Sequence, residues 1–325
     1  MELDLATEND PMTVTPLTGG VASDIARVDL PDRTLCVKFA LPKLKVAADW
    51  QVPVHRNAAE YAWLAQAARI APTSSVALFG RSERLGGFAM EHLDPQTSYL
   101  WKARLLKEGP GAGEAARVGD LLGRLHAAST QPGFDTGPFQ NQKDFHALRT
   151  DPYLGQIQRM YPELEPHLGP LEEMLGQSAQ VLIHGDVSPK NILFRGADPI
   201  LLDAECATMG EASFDPAFCL NHLVIKAVHM PCHRDALLAQ ARAFWRAYLG
   251  HVTWESKDAL ESRLCLLLPP LMLARVDGKS PVEYLAPDVQ ALVRRLALRL
   301  IPNPVARLDT LLETIAQTLK DPQDG

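Results

Sequence analysis

Three short apolar runs, Val181 to His184, Ile192 to Phe194 and Ile200 to Leu202, follow one another closely, separated by polar loops. Runs this short, rich in aliphatic residues, read as strands that fold back on each other. The first loop is His184-Gly185-Asp186-Val187-Ser188-Pro189-Lys190-Asn191, and Leu201-Leu202 leads into the last, Asp203-Ala204-Glu205. Folding back on that scale brings two acids and an amide toward one edge.

Carboxylate and amide oxygens are hard ligands that suit Mg²⁺. Phosphoryl transfer calls for such a set, because its transition state spreads negative charge over equatorial oxygens. The five-residue step from Asp186 to Asn191 matches the H-R-D-x-x-x-x-N loop of kinases. Asp203 follows a hydrophobic hairpin, where a metal-binding Asp is expected. On this reading Asp186 orients an acceptor hydroxyl and takes its proton. Asn191, Asp203 and Glu205 then hold Mg²⁺. Asp and Asn also favour ordinary capped turns, and the joint spacing in matching strand context separates the two readings.

The rest of the chain divides in two. Up to residue 93, β-branched runs and turn signals predict a small sheet, with strands at Ile25 to Leu30, Thr34 to Phe39, Val76 to Phe79 and Gly87 to Glu91. A helix is expected between the strand pairs, over His55 to Ile70. From residue 94 to 325 the pattern is mainly helical, as in Ala115 to Ala128, Ala236 to Leu249, Pro287 to Leu300 and Val305 to Leu319. A ligand is expected in the cleft between the two parts. The most apolar stretch, Leu264 to Ala274, is broken by Pro269 and Pro270 and falls short of the roughly 20 residues of a membrane span, so it reads as core.

Composition narrows the function. At 46% hydrophobic and 22% charged, 325 residues suffice for one or two cores. Lys and Arg number 32 against 39 Asp and Glu, a net charge of −7, which gives no general attraction to nucleic acid or anionic membrane. An anionic ligand then requires a local basic site, and the acidic balance suits a cationic one. Five scattered cysteines and an acidic start without a signal-peptide pattern fit free thiols in the cytoplasm. Cys219, His222, His229, Cys232 and His233 are metal-ligand types, but their irregular spacing within an apolar helical pattern favours ordinary packing. Gly278-Lys279-Ser280 ends like a P-loop but lacks its first glycine, since Leu273 stands there.

With His184-Gly185-Asp186 and Asp203-Ala204-Glu205 both present, the chain resembles the aminoglycoside phosphotransferase and choline kinase family over most of its length. That resemblance implies an α+β, protein-kinase-like fold of two lobes, residues 1–93 binding ATP and residues 94–325 carrying catalysis and a small-molecule hydroxyl acceptor. Lys38, on a strand, would reach the α and β phosphates, and Glu60 on the next helix would pair with it. Leu17 to Asp24, with Gly19, Gly20 and Ser23, lies where the family places its phosphate-covering turn. Met90-Glu91-His92-Leu93 would be the hinge, presenting the backbone of Glu91 and Leu93 to adenine. Asp215, in Phe214-Asp215-Pro216-Ala217, is similar to the segment that braces the catalytic loop, and His126 is expected to pack rather than react.

The chain is more closely similar to the 5-methylthioribose kinase branch. The similar residues are Lys38 to Pro42 with Trp50, Arg56 and Glu60, Asp203 through Gly210 to Asn221, and Ala274-Arg275-Val276-Asp277-Gly278. Arg275 would then contact the acceptor, although Ala274 stands where the branch has a first arginine. The acceptor therefore stays open among sugars, amino alcohols and aminoglycosides. Two other classes fit parts of the pattern, a nucleotide-binding pseudokinase and a metal-dependent hydrolase built on Asp186, Asp203 and Glu205 with His184.

Overall fold

The computed structural model describes residues 2–7, 9–17, 23–41 and 56–320. Gly19, Gly20 and Trp50, singled out above, lie outside them. The first part of the chain is an antiparallel sheet of β1 (Thr13–Pro16), β2 (Ser23–Asp29), β3 (Thr34–Ala40), β4 (Leu78–Ser82) and β5 (Gly87–Glu91), in the order β1-β2-β3-β5-β4. In its register Lys38 stands opposite Ile25 on one side and Phe88 on the other. β4 begins two residues later than the expected Val76, because Pro72–Ser74 form a 3-10 turn and Val76 is buried ahead of the strand.

Helix α1 (Arg56–Ile70) buries Glu60, Trp63, Leu64 and Ala67. Trp63 sets its ring edge against His184, with centroids 4.8 Å apart, so the helix that carries Glu60 also rests on the acid-bearing loop.

After β6 (Ser98–Leu100) come α2 (Trp101–Glu108) and α3 (Glu114–Ser129), then α4 (Gln142–Phe145), a π-type segment over His146–Gly155, α5 (Gln156–Met160) and α6 (Glu165–Gln177). The expected short strands are present as β7 (Val181–Ile183), β8 (Ile192–Arg195) and β9 (Asp198–Leu201). They do not form one sheet. β8 pairs with β9 and with β6, whereas β7 pairs with β10 (Thr208–Gly210). Both acid-bearing loops thus run between two small antiparallel sheets.

The chain ends in α7 (Phe214–His229), α8 (Arg234–Leu249), α9 (Lys257–Asp277), α10 (Pro287–Leu300) and α11 (Leu308–Lys320). The stretch read as interrupted core is the middle of α9, which passes through Pro269 and Pro270 without ending. Each interior proline costs a helix about 3 kcal/mol. Full burial of Leu264, Leu267, Leu268, Leu271, Met272 and Leu273 around them offsets that cost, at roughly 1.5–3 kcal/mol per side chain. Among the described residues no helix is long and apolar enough to cross a membrane.

α3 packs along α8 so closely that a Cβ on Gly119 would collide with the carbonyl of Phe244. Gly119→Ala gains helix propensity but forces the two backbones apart, and a net loss of about 1–3 kcal/mol is expected from urea unfolding. A midpoint equal to or above wild type would show that the contact carries no such constraint.

Candidate active site

The turn out of β7 sets the position of the first acid. Gly185 has φ +82°, and a Cβ there would lie 2.8 Å from the Cβ of Cys206, so both backbone sign and space call for glycine. The carboxylate of Asp215, at the start of α7, accepts the N–H of His184 at 2.6 Å and of Gly185 at 2.9 Å. His126 on α3 lies 3.4 Å from the same carboxylate through Nε2 and 2.8 Å from the Tyr248 hydroxyl through Nδ1. Both residues therefore brace the loop from behind, fully buried.

His184 is fixed at both ring nitrogens. Nδ1 accepts the N–H of Asp186 at 3.1 Å, which leaves Nε2 to donate to the Leu202 carbonyl at 3.1 Å. Burial, the largest influence, keeps its pKa below the ordinary histidine value. The ring is a neutral strut between the two acid-bearing loops.

Asp186 follows, 3% exposed. Its Oδ2 accepts from Arg149 at 2.8 Å and lies 3.1 Å from the Lys190 ammonium, while Oδ1 accepts from Ser188 at 3.1 Å. Burial alone would raise its pKa, but Lys190 and Arg149 together hold it far below the usual carboxylate range. Sequence reasoning missed Arg149. It sits in the π-type segment, far from Asp186 in the chain, and also donates to the Gly185 carbonyl at 2.6 Å. Nothing in its local sequence marks it.

Opposite this loop, Lys38 bridges two carboxylates. Its ammonium is 2.7 Å from Glu60 and in direct contact with Asp203. Burial works against the ammonium, yet Asp203 and Glu60 hold its pKa above the ordinary lysine value. Asp203 itself has φ +68°, a left-handed conformation that costs a non-glycine residue about 1 kcal/mol or more. Its pKa is pulled down by Lys38 and Lys190 against the effect of burial.

Asn191 donates its amide nitrogen to the Asp186 carbonyl at 3.1 Å, which leaves its oxygen as the free ligand atom. Asn191 and Asp203 line one cleft of about 360 Å³ together with Lys38, Glu60, Glu91, Leu93 and Lys190. Two hard oxygen ligands on one wall fit Mg²⁺.

The other expected residues are placed as follows. Glu205 accepts from Arg56 Nε at 2.7 Å, so its carboxylate is already paired. Ser23 is buried at the start of β2, opposite Ala40. Glu91 gives its carboxylate to Arg195 at 2.7 Å and its N–H to the Ala77 carbonyl. Among the described residues the Leu93 N–H has no partner, which suits a hinge that offers backbone to a base. Arg275 is buried on α9 and lines a second pocket with Lys190. Among the described residues, no three His, Cys, Asp or Glu side chains gather as a metal site, the Cys219 to His233 segment included.

A family model described as the phosphotransferase enzyme family matches residues 13–260. The chain belongs to this family. The methylthioribose kinase of Exiguobacterium sibiricum is 22% identical to it over 286 residues, 78% of this chain and 72% of that one. A choline/ethanolamine kinase family protein from Mesorhizobium loti overlays at a TM-score of 0.51 with 16% identity, over 96% of this chain and 88% of that one. An amicoumacin kinase solved with AMP-PNP and Ca²⁺ overlays at 0.57 with 14% identity, over 92% and 91%. These overlays establish the α+β, protein-kinase-like fold for this phosphotransferase.

Arg149 holds the Asp186 carboxylate in place. Arg149→Met removes one of two cations that hold that carboxylate down, so the carboxylate titrates at higher pH. The expected result is a lower kcat with the acid limb of the pH–rate profile moved upward. A fall in kcat with an unmoved limb would assign Arg149 to folding alone.

Proposed function

We propose that this phosphotransferase transfers the γ-phosphoryl group of ATP to a hydroxyl of a small polar molecule. The observation that carries the reading is the cleft lined by Lys38, Asn191 and Asp203 together with Lys190, whose ammonium pairs with Asp186. Lys38 would exchange its contact with Asp203 for the nucleotide phosphates while keeping Glu60 as its anchor. Asn191 and Asp203 would hold Mg²⁺, which when bound neutralises phosphate charge. The backbone of Glu91 and Leu93 would receive the base.

Asp186 orients the acceptor hydroxyl. As the new O–P bond forms, the bond from the γ-phosphorus to the bridging oxygen breaks, ADP leaves, and the hydroxyl proton passes to the Asp186 carboxylate. A carboxylate held this strongly ionised is a weak base, so its main contribution is orientation, with proton uptake late. Little more is required where the transition state is loose.

The competing classes have less support. A hydrolase on Asp186, Asp203 and Glu205 would use His184, but both its ring nitrogens are engaged and each acid has its own basic partner. A pseudokinase has no need to keep Lys38, Glu60, Asp186, Asn191 and Asp203 together. Five free cysteines, four of them buried, support a reducing compartment such as the cytoplasm.

Coupled ADP release with Mg-ATP, against methylthioribose, other sugars, amino alcohols, choline and aminoglycosides, tests the reading. Asp186→Asn is expected to lower kcat by about 10²–10⁴ while leaving AMP-PNP affinity intact. Full activity in that variant would remove Asp186 from its role. In parallel, Lys38→Met is expected to raise the KM for ATP and lower kcat, and an unchanged KM would separate Lys38 from the nucleotide.

A further inference from the structure

Beside the nucleotide cleft, and sharing Lys190 with it, lies a second pocket whose wall is crowded with positive charge. Lys102, Lys190, Lys226 and Arg275 all line it, against one carboxylate, Glu283. Glu283 is already paired with Lys102, and Lys190 with Asp186. Among the described residues, Lys226 and Arg275 are left without an acid.

Lys226, on α7, is 1% exposed, and its described contacts are the Tyr284 hydroxyl at 3.3 Å and the Tyr284 ring at 4.9 Å. Arg275, 6% exposed, donates from Nη1 to the hydroxyls of Tyr153 at 2.9 Å and Ser280 at 3.2 Å. Its Nε is buried with no partner, as is Nε2 of His222 in the same wall. Burial, with Lys102 and Arg275 close by, pulls the Lys226 pKa down to about 7. Burial, with Arg275 and Lys226 close by, holds His222 well below the ordinary histidine value. Two buried basic side chains and two unused nitrogens around one cavity are costly without a partner. An anion with several acceptor oxygens satisfies all of them.

We propose that this pocket receives an oxyanion, carboxylate or phosphate, carried by the acceptor itself, so that the substrate is an anionic hydroxyl compound rather than a cation. The inference rests on the kinase reading for the transferred group, and on the pocket alone for the charge. It runs against the cationic substrate that the net charge of −7 favours, because a local site and not overall charge sets what a pocket accepts.

The test separates the two readings. Glycolate and inorganic phosphate are titrated calorimetrically into the protein saturated with Mg-AMP-PNP, at constant ionic strength, with choline as the cationic control. Wild type is expected to bind at least one oxyanion and not choline. Lys226→Met, which fills the same space without charge, is expected to lose at least tenfold in that affinity while keeping its affinity for AMP-PNP. Arg275→Lys gives a second reading with its charge retained and its planar fork lost, and a severalfold loss is expected. No oxyanion binding to wild type, or equal binding to Lys226→Met, overturns the proposal. The kinase reading is judged separately, by ADP release with hydroxycarboxylates, sugar phosphates, choline and aminoglycosides. Turnover confined to the cationic compounds also overturns the anionic acceptor, and preference for hydroxycarboxylates or for sugar phosphates identifies the source of the oxyanion.

Discussion

The carboxylate of Asp215 holds the site in register. Fully buried, it takes the N–H groups of His184 and Gly185 and lies beside His126, so the turn into Asp186 cannot relax without stranding a charge. A buried carboxylate is tolerable only when hydrogen bonds replace its lost water. Here the same bonds that satisfy it fix the backbone of the loop that carries Asp186. The brace continues through His126 to Tyr248, which ties the loop to α3 and α8, the most closely packed helices of the second part of the chain.

From that fixed loop the electrostatics of the site follow. Each acid faces a cation: Asp186 faces Arg149 and Lys190, Asp203 shares Lys38 with Glu60, and Glu205 faces Arg56. Pairing keeps Asp186 and Asp203 ionised against the effect of burial. In the cleft, Lys38 and Lys190 are matched by Glu60 and Asp203, whereas the pocket beyond Lys190 sets four basic side chains against Glu283.

Much of this was readable from the chain. The short runs around Asp186 and Asp203 mark both loops, and spacing or resemblance points to Lys38, Glu60 and Asn191. Local patterns carry local structure, so Glu114 to Ser129 and Pro287 to Leu300 were expected nearly to the residue. What local pattern does not carry is pairing at a distance. Nothing near Val181 says that its partner is Gly210 rather than a neighbour on the next run. Nothing near Arg149 says that it will meet Asp186. The helix through Pro269 and Pro270 was hidden for a different reason, since its breakers are overruled by burial that only the assembled helices supply. A lysine in a helical pattern reads as solvated, and the burial of Lys226 on α7 is a tertiary fact.

The two small sheets have a mechanical meaning. β7 leads through the Asp186 loop to β8, β8 turns back as β9, and β9 leads through the Asp203 loop to β10, which pairs again with β7. Chain and hydrogen bonds together close a ring, crossed inside by the bond from His184 to Leu202 and by that from Leu202 to Asn191. A closed, cross-braced ring moves as one piece. Any breathing of the cleft then carries both acids together, changing the distance from Lys38 to the ring while leaving the spacing within it untouched.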